Sequence, residues 1–167
     1  MGETYAAMPG LAVEGDAGFI KIRLLNAQAI GAVADAIGLP SPPPLRESRN
    51  GPVALATIGP AEWLLSCPLL ALPDMIATIG RALEGEVALV LDVSPGRVAC
   101  LMQGDAAERL CALSPVDLSD RAFPVAAVAR TIVEDISTMI VRLENGFRAV
   151  VDQSRAARFL AVVTRGS

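Results

Sequence analysis

The sequence predicts an α+β protein in which helices pack on a mostly antiparallel sheet. Some segments alternate apolar and polar residues, as half-buried strands do, and others repeat apolar residues at intervals of three and four, as amphipathic helices do. Turn signals also join several neighbouring strands directly, without the intervening helices that a parallel sheet requires. With 167 residues, the chain has the length of one ordinary domain.

The N-terminal segment carries no hydrophobic period. It has four glycines and a proline within its first 18 residues, a composition typical of loops. We therefore expect residues 1–18 to form an extended or poorly ordered leader and residues 19–167 to form a single domain. The alternation within Phe19–Leu25 predicts a strand. Asn26 is then expected to cap a short amphipathic helix over Ala27–Ile37.

A Pro-rich loop at residues 40–51 follows this helix. Its four prolines and polar cluster favour an extended, solvated and mobile connector over a packed element. Val53–Ile58 and Glu62–Cys67 are rich in strand-forming residues, and only Gly59-Pro60-Ala61 separates them, which predicts a hairpin. The single tryptophan, Trp63, falls in the second of these strands.

The middle of the chain predicts a helix followed by a buried strand. The helix is expected to begin near Pro73 and to end before Gly85. Val87–Leu91 is apolar at every position, so we expect a central strand that is buried on both faces. Asp92-Val93-Ser94-Pro95-Gly96 has the composition of a turn, and the chain is expected to double back there into a strand over Arg97–Met102.

The remainder of the chain predicts further strands and helices, and no internal repeat is recognisable. Hydrophobic spacing marks the helices, and a two-residue turn signal marks a hairpin. The predicted elements are a helix opening at Gly104 with Ala106, Leu110 and Leu113 facing inward, a loop over Ser114–Pro124, strands over Val125–Val133, Thr138–Leu143 and Phe147–Val151, a hairpin turn at Glu144-Asn145-Gly146, and a last helix after Asp152 with Ala156, Phe159, Leu160 and Val163 facing inward.

Composition excludes several classes of function. The net charge is −4 with one lysine and six aromatic residues, whereas a nucleic-acid groove needs a basic face and stacking rings. Because the sequence contains no histidine, a histidine-dependent triad is excluded. A membrane-spanning helix needs about 20 consecutive apolar residues, and every uncharged run in this sequence is much shorter. The acidic N-terminus is also unlike a signal peptide, so we expect a cytoplasmic protein. With 53% hydrophobic residues, the chain favours a surface that is buried against a partner.

No pattern in the sequence indicates a catalytic, cofactor-binding or metal-ligating residue. Cys67, Cys100 and Cys111 lack the spacing of a zinc or disulfide motif, so we expect them to be small buried hydrophobes in a reducing compartment. Lys21 and Ser94 have no neighbouring residue that would make them nucleophiles. The glycine patterns that cradle nucleotide phosphates are absent from the sequence.

Two carboxylate pairs and one aromatic residue leave alternatives open. Glu84 with Glu86 and Glu134 with Asp135 could act as general acid and base if they were buried together, but their place beside predicted turns favours solvated positions. Trp63 fits core packing, and it also fits an interface anchor or a ring on which a ligand stacks.

Four groups of residues occur in the order and spacing of a known family, spread from about Phe19 to Val163. The chain resembles the gamma subunits of heterotetrameric sarcosine oxidases, which are related to aminomethyltransferases and their folate-binding domains. The residues that carry the resemblance are Gly59-Pro60-Ala61-Glu62-Trp63-Leu64-Leu65, the segment Leu91–Val98 leading into Gly104-Asp105-Ala106, Pro115-Val116-Asp117-Leu118 with Phe123-Pro124, and Phe147-Arg148 with the closing Ser154–Phe159 helix.

The resemblance implies a subunit of an enzyme that oxidises the N-methyl group of sarcosine to give glycine, hydrogen peroxide and a one-carbon unit for tetrahydrofolate. In such an assembly the alpha and beta subunits hold FAD, FMN, NAD and tetrahydrofolate, and the delta subunit holds zinc. The resemblance therefore implies that this chain binds no cofactor, contributes no catalytic residue and acts in assembly and stability. Its implied partners are the alpha, beta and delta subunits, and the isolated chain is expected to associate with itself.

Two other functions are compatible with the same fold. One is a free-standing folate-binding domain with aminomethyltransferase-like activity, which needs an acidic residue to hold the pterin ring. The sequence does not identify a matching carboxylate. The other is a small regulatory or assembly factor that acts without the remaining subunits.

Overall fold

The computed structural model describes residues 9–165 and confirms the predicted α+β class, with helices beside two five-stranded antiparallel sheets. The chain divides into two compact units. One unit is Asp16–Pro95, and the other joins the chain up to Gly15 with the chain from Gly96 onward.

The described residues contain ten strands and four α-helices, with short 3-10 turns between some of them. All strand pairs within the two sheets are antiparallel, as the direct turns between strands predict. In chain order the elements are β1 Leu11–Glu14, β2 Ala17–Leu24, α1 Ile30–Ala36, β3 Glu47–Asn50, β4 Val53–Gly59, β5 Glu62–Pro68, α2 Leu72–Ala82, β6 Ala88–Asp92, β7 Arg97–Met102, α3 Gly104–Leu113, β8 Val128–Val133, β9 Ile136–Leu143, β10 Gly146–Asp152 and α4 Ala156–Thr164.

The Asp16–Pro95 unit has the sheet order β3-β4-β5-β2-β6, with α1 and α2 on one side of its core. Alternation along β2 buries Ile20, Ile22 and Leu24 in the same cluster as Val33 of α1 and Ile79 of α2. Asn26 caps the helical segment after β2 as predicted, because its Oδ1 accepts a hydrogen bond from the N–H of Gln28 at 3.2 Å.

The predicted central strand around residues 87–91 is wrong in position. β6 is the last strand in its sheet and pairs only with β2 among the described strands. The side chains of Val87, Leu89 and Leu91 are 69%, 49% and 48% exposed. A short apolar run predicts strand structure, but it does not distinguish a strand with two neighbours from a strand at an apolar edge.

The Pro-rich segment 40–51 is also more ordered than predicted. Its last part forms β3, which pairs with β4, and Glu47 and Ser48 are buried. β3 escapes sequence prediction because it is short and polar, as strands at the edge of a sheet often are.

The second unit has the sheet order β1-β7-β10-β9-β8, with α3 and α4 packed in its core. Val98, Cys100 and Met102 are buried on one face of β7, as the alternation predicts. The hairpin between β9 and β10 forms at the predicted turn, and Gly146 is required there: its φ is +114°, and a Cβ would overlap the carbonyl oxygen of Met102.

The predicted leader contains parts of two strands. Residues 1–8 lie outside the described residues, but Leu11–Glu14 forms β1 beside β7, and β2 begins at Ala17. Within residues 9–18, Gly10 and Gly15 lie in the turns on either side of β1, so these glycines mark turns between strands. Likewise, the Asp92–Gly96 turn does not return the chain to β6; it leads into β7, which belongs to the other sheet.

Both units have the same topology, although the sequence shows no repeat. Each has a strand, a helix, a three-stranded meander, a second helix and an edge strand beside the first strand. In the Asp16–Pro95 unit that edge strand is β6, which follows α2. In the other unit the equivalent place is taken by β1, which comes from the beginning of the chain.

The helices bury the faces that their apolar spacing predicts. In α4, Ala156, Phe159, Leu160 and Val163 are all buried. The longest helix in the described part of the chain, α2, has 11 residues, so none of these helices could cross a lipid bilayer.

Candidate functional site

The candidate site is an apolar cavity of about 560 Å³ in the Asp16–Pro95 unit. One side is the Pro-rich loop before β3, and the other is the hairpin between β4 and β5. The sequence predicts the first of these segments as a loop, and the second contains residues that carry the family resemblance. The lining residues are Ala27, Pro42, Pro44, Leu45, Thr57, Gly59, Pro60, Ala61 and Trp63.

The hairpin side is shaped by an irregular turn. Thr57 pairs with Trp63 and Gly59 pairs with Glu62, so the strand register shifts by one residue between Thr57 and Gly59. Ala61 has a φ of +54°, which an alanine rarely adopts. The carbonyl oxygen of Ala61 accepts a hydrogen bond from the N–H of Leu24 at 3.1 Å, and this bond ties the turn to the end of β2.

The loop side is held to β4 by hydrogen bonds and is not the solvated connector that the prolines predict. Thr57 Oγ1 donates to the carbonyl oxygen of Pro42 at 3.2 Å, and the N–H of Thr57 donates to the carbonyl oxygen of Arg46 at 2.9 Å. Leu45, at the rim, has a φ of +55° and is 53% exposed. The loop therefore forms a fixed wall with an exposed apolar rim.

Trp63 belongs to the core, as the core-packing interpretation predicts, and it also lines the cavity. Its side chain is 4% exposed, and it lies beside Ile22 of β2 and Thr57 of β4. The indole Nε1 is buried and has no hydrogen-bond partner among the described residues. An unsatisfied buried N–H costs about 1–3 kcal/mol, so an acceptor that reached it would be stabilised.

The cavity lining contains no charged side chain. Two charged residues directly follow or precede lining residues along the chain. Arg46 follows Leu45, and Glu62 of the hairpin forms ion pairs with Lys21 at 3.7 Å and with Arg23 at 3.5 Å. The hydroxyl of Thr57 already donates to Pro42. The cavity therefore suits an apolar group, and its lining lacks the acid, base or nucleophile that a reaction would need.

Two of the three cysteines are buried as predicted, and none forms a disulfide. Burial, and then the charge of Asp92, raises the pKa of the Cys67 thiol. Burial, and then Glu14, raises the pKa of Cys100 to about 12, so both thiols stay protonated and are poor nucleophiles. The expectation of burial is wrong for Cys111, which is exposed on α3 because it lies beside the inward-facing Leu110 rather than on the same face.

Neither carboxylate pair forms a buried acid–base site. Glu84 and Glu86 are exposed after α2, and Glu134 and Asp135 are exposed at the turn between β8 and β9. Asp135 instead pairs with Arg158 at 2.9 Å. In the described part of the chain, no group of three histidine, cysteine, aspartate or glutamate residues is placed to hold a metal ion.

The turn motif around Ser94 has a structural role. The Ser94 hydroxyl accepts from the N–H of Phe19 at 2.8 Å, and the N–H of Ser94 donates to Asp92 Oδ1 at 2.9 Å. The N–H of Val93 also donates to the carbonyl oxygen of Phe19 at 2.9 Å. These bonds fix the end of β6 to β2, and they leave Ser94 without the base that a nucleophile requires.

Comparison with solved structures finds proteins of similar fold. The chain is similar to a chain of the heterotetrameric sarcosine oxidase from Corynebacterium sp. U-96 in complex with pyrrole 2-carboxylate, with 25% identity and a TM-score of 0.81 over 92% of this chain and 80% of that chain. It is also similar in fold to the glycine cleavage system aminomethyltransferase T from Bartonella henselae, with 15% identity and a TM-score of 0.70. That match covers 94% of this chain but only 45% of the longer aminomethyltransferase.

Comparisons of sequence give no corresponding match. No protein-family model matches the chain, and a search of curated proteins finds none similar to it. The likeness is therefore carried by the arrangement of the strands and helices. It supports the predicted relation to sarcosine oxidase and aminomethyltransferase folds.

Proposed function

We propose that this chain is a non-catalytic gamma-type subunit of a heterotetrameric sarcosine oxidase, in which it acts in assembly and stability. The observation that carries the proposal is the similarity along nearly the whole chain to one chain of such an enzyme. Because most of both chains is covered, the matched chain is only slightly longer than this one. A small subunit therefore fits better than one domain of a large catalytic subunit.

The chemistry of the side chains supports a role in assembly. The sequence contains no histidine, and Cys67 and Cys100 are buried thiols with raised pKa values. The surface also carries large apolar side chains, and Leu25 and Leu70 are 80% and 96% exposed. Together with the 53% hydrophobic composition, these exposed side chains favour burial of part of the surface against another chain.

The proposal assigns FAD, FMN, NAD and tetrahydrofolate to the alpha and beta subunits, zinc to the delta subunit, and the complex to the cytoplasm. The cavity residues do not fit tetrahydrofolate. Its pterin ring and glutamate group need several hydrogen-bond partners and a cation, whereas the lining has no charged side chain and its one hydroxyl, that of Thr57, already donates to Pro42. No folate step is assigned to this chain.

Co-expression tests the proposal. The chain is produced with the alpha, beta and delta subunits of the same organism, and the complex is purified with and without it. We expect stable co-elution in equal amounts, and a loss of bound flavin and of sarcosine-dependent peroxide formation when the chain is omitted. A complex that keeps its flavin and activity without this chain would contradict the proposal.

Calorimetry with tetrahydrofolate distinguishes the free-standing folate-binding alternative. The purified chain is titrated with tetrahydrofolate, and the Trp63→Phe variant serves as the matched control for the cavity. We expect no saturable binding by either protein. Binding by the wild-type chain together with independent elution from the other subunits would favour the folate-binding function instead.

A further inference from the structure

The free edge of β6 is an unprotected apolar strand. Val87, Leu89 and Leu91 are exposed on one face, and β6 has only β2 as a strand partner among the described residues. Natural proteins usually protect such edges with prolines, lysines, bulges or very short strands. The opposite edge of the same sheet, β3, is polar, whereas β6 contains no proline, lysine or bulge, and its one charged residue is Asp92 at its end.

The hydrogen bonds at both ends of β6 determine which backbone groups face outward. The N–H of Leu25 donates to the carbonyl oxygen of Val87 at 3.0 Å, and the N–H of Val93 donates to that of Phe19 at 2.9 Å. Because bonded residues alternate along an antiparallel strand, the odd-numbered residues bond towards β2 and the even-numbered residues present their N–H and C=O groups to the free edge. The outward-facing residues are Ala88, Val90 and Asp92.

One register makes this edge complementary to itself. A two-fold axis at Val90 lets the N–H and C=O of the two Val90 residues bond to each other, and it places Ala88 opposite Asp92 of the other copy. On the exposed face, Leu89 of each copy then lies opposite Leu91 of the other. An axis at Leu89 would instead bring Glu86 opposite Asp92, where like charges repel.

We propose that β6 is a self-association surface that pairs antiparallel with β6 of a second copy, with the two-fold axis at Val90. The sheet that contains β6 has five strands, so the β6-containing sheets of the two copies then form one continuous ten-stranded sheet. The pairing covers Leu89 and Leu91 and satisfies the outward backbone groups. The proposal does not rest on the function proposed above.

The surface is small, so the dimer is expected to dissociate at moderate dilution. Pairing five residues buries less area than a standard stable interface, which favours a dissociation constant on the order of 1–100 µM. Sedimentation velocity of the full chain over about 1 µM to 1 mM covers this range. We expect a concentration-dependent monomer–dimer equilibrium for the wild-type chain.

Two charge variants at the same positions test the register. In the Leu89→Glu, Leu91→Glu variant, the new glutamates lie opposite Arg23 and Lys21 within each chain but face glutamates of the other copy, so we expect dimerisation to weaken by about tenfold or more. In the Leu89→Lys, Leu91→Glu variant, each lysine faces a glutamate of the other copy, so dimerisation is expected to survive. Both side chains are about half exposed in the chain, so the fold should tolerate the changes.

Ile132→Lys is the matched control. Ile132 is 56% exposed on β8, the edge of the other sheet, and its change should leave the dimer unaffected. Circular dichroism checks that each variant is folded. A wild-type chain that stays monomeric throughout the concentration range overturns the proposal, even if it binds other subunits. So does a dimer that the double-glutamate change leaves intact, or one that the lysine–glutamate variant weakens equally.

Discussion

Arg148 Nε donates a hydrogen bond to Glu14 Oε2 at 2.6 Å, although the two residues are 134 positions apart in sequence. Arg148 lies on β10 and Glu14 on β1, the two strands that flank β7. Arg148 is only 4% exposed, so this is a largely buried charge pair. It fastens the N-terminal strand to the sheet of the second unit.

Replacing Glu14 should therefore destabilise the protein. Glu14→Ala removes the carboxylate from a buried guanidinium, and we expect the free energy of unfolding to fall by about 2–3 kcal/mol. Urea denaturation measures the change. Asp135→Ala is the control, because it breaks the exposed pair with Arg158 and should cost less than about 0.5 kcal/mol. Equal costs for the two changes would contradict this role for Glu14.

The unpaired indole N–H of Trp63 predicts that Trp63→Phe and Trp63→Ala lower the free energy of unfolding by different amounts. Trp63→Phe keeps an aromatic ring in the core and removes the unpartnered N–H, so the free energy of unfolding should change by less than about 1.5 kcal/mol. Trp63→Ala should cost about 3–5 kcal/mol. Both are measured by urea denaturation followed by circular dichroism, since Trp63 is the only tryptophan. If Phe cost as much as Ala, the indole N–H would be stabilising the fold.

Ala61 occupies a backbone conformation that favours glycine. Its φ is +54°, so Ala61→Gly should stabilise the protein by about 0.5–1 kcal/mol. Ala32→Gly is the matched control, because Ala32 is exposed within the helix α1 and the same change there should destabilise by about 1 kcal/mol. Thermal unfolding of both variants gives the two signs. Destabilisation by Ala61→Gly would indicate that its methyl group packs usefully in the cavity wall.

Local patterns in the sequence predict most of the elements. Helical spacing identifies the buried face of α4, and the turn residues identify the hairpins between β4 and β5 and between β9 and β10. Such features depend on neighbours within a few residues. The place of a strand in its sheet depends on distant pairing, so Val87–Leu91 predicts a strand correctly and a central position wrongly.

The candidate cavity could not be predicted from sequence. Its walls combine Pro42 and Leu45 of one loop with Trp63 and its hairpin, and no charged residue marks the place. The hydrogen bond from Thr57 to Pro42 orders the loop, and its partners are 15 positions apart. The common topology of the two units is likewise hidden, because β1 and β6 occupy equivalent places from different ends of their units.

Burial of the Cys100 thiol predicts that the folded protein loses stability at alkaline pH. Burial, and then Glu14, raises the pKa of Cys100 from its ordinary value of 9.0 to about 12. A raised pKa in the folded state means that the neutral thiol stabilises the fold fully below about pH 9 and that this contribution is lost as the pH rises towards 12.

We expect Cys100→Ala to lower the free energy of unfolding by about 1–3 kcal/mol at neutral pH, and this difference from the wild type to shrink above about pH 9. Every other titratable group is the same in both proteins, so the difference isolates Cys100, and Cys111→Ala provides an exposed cysteine for comparison. A difference that stayed constant through this pH range would mean that the folded protein accommodates the thiolate at Cys100.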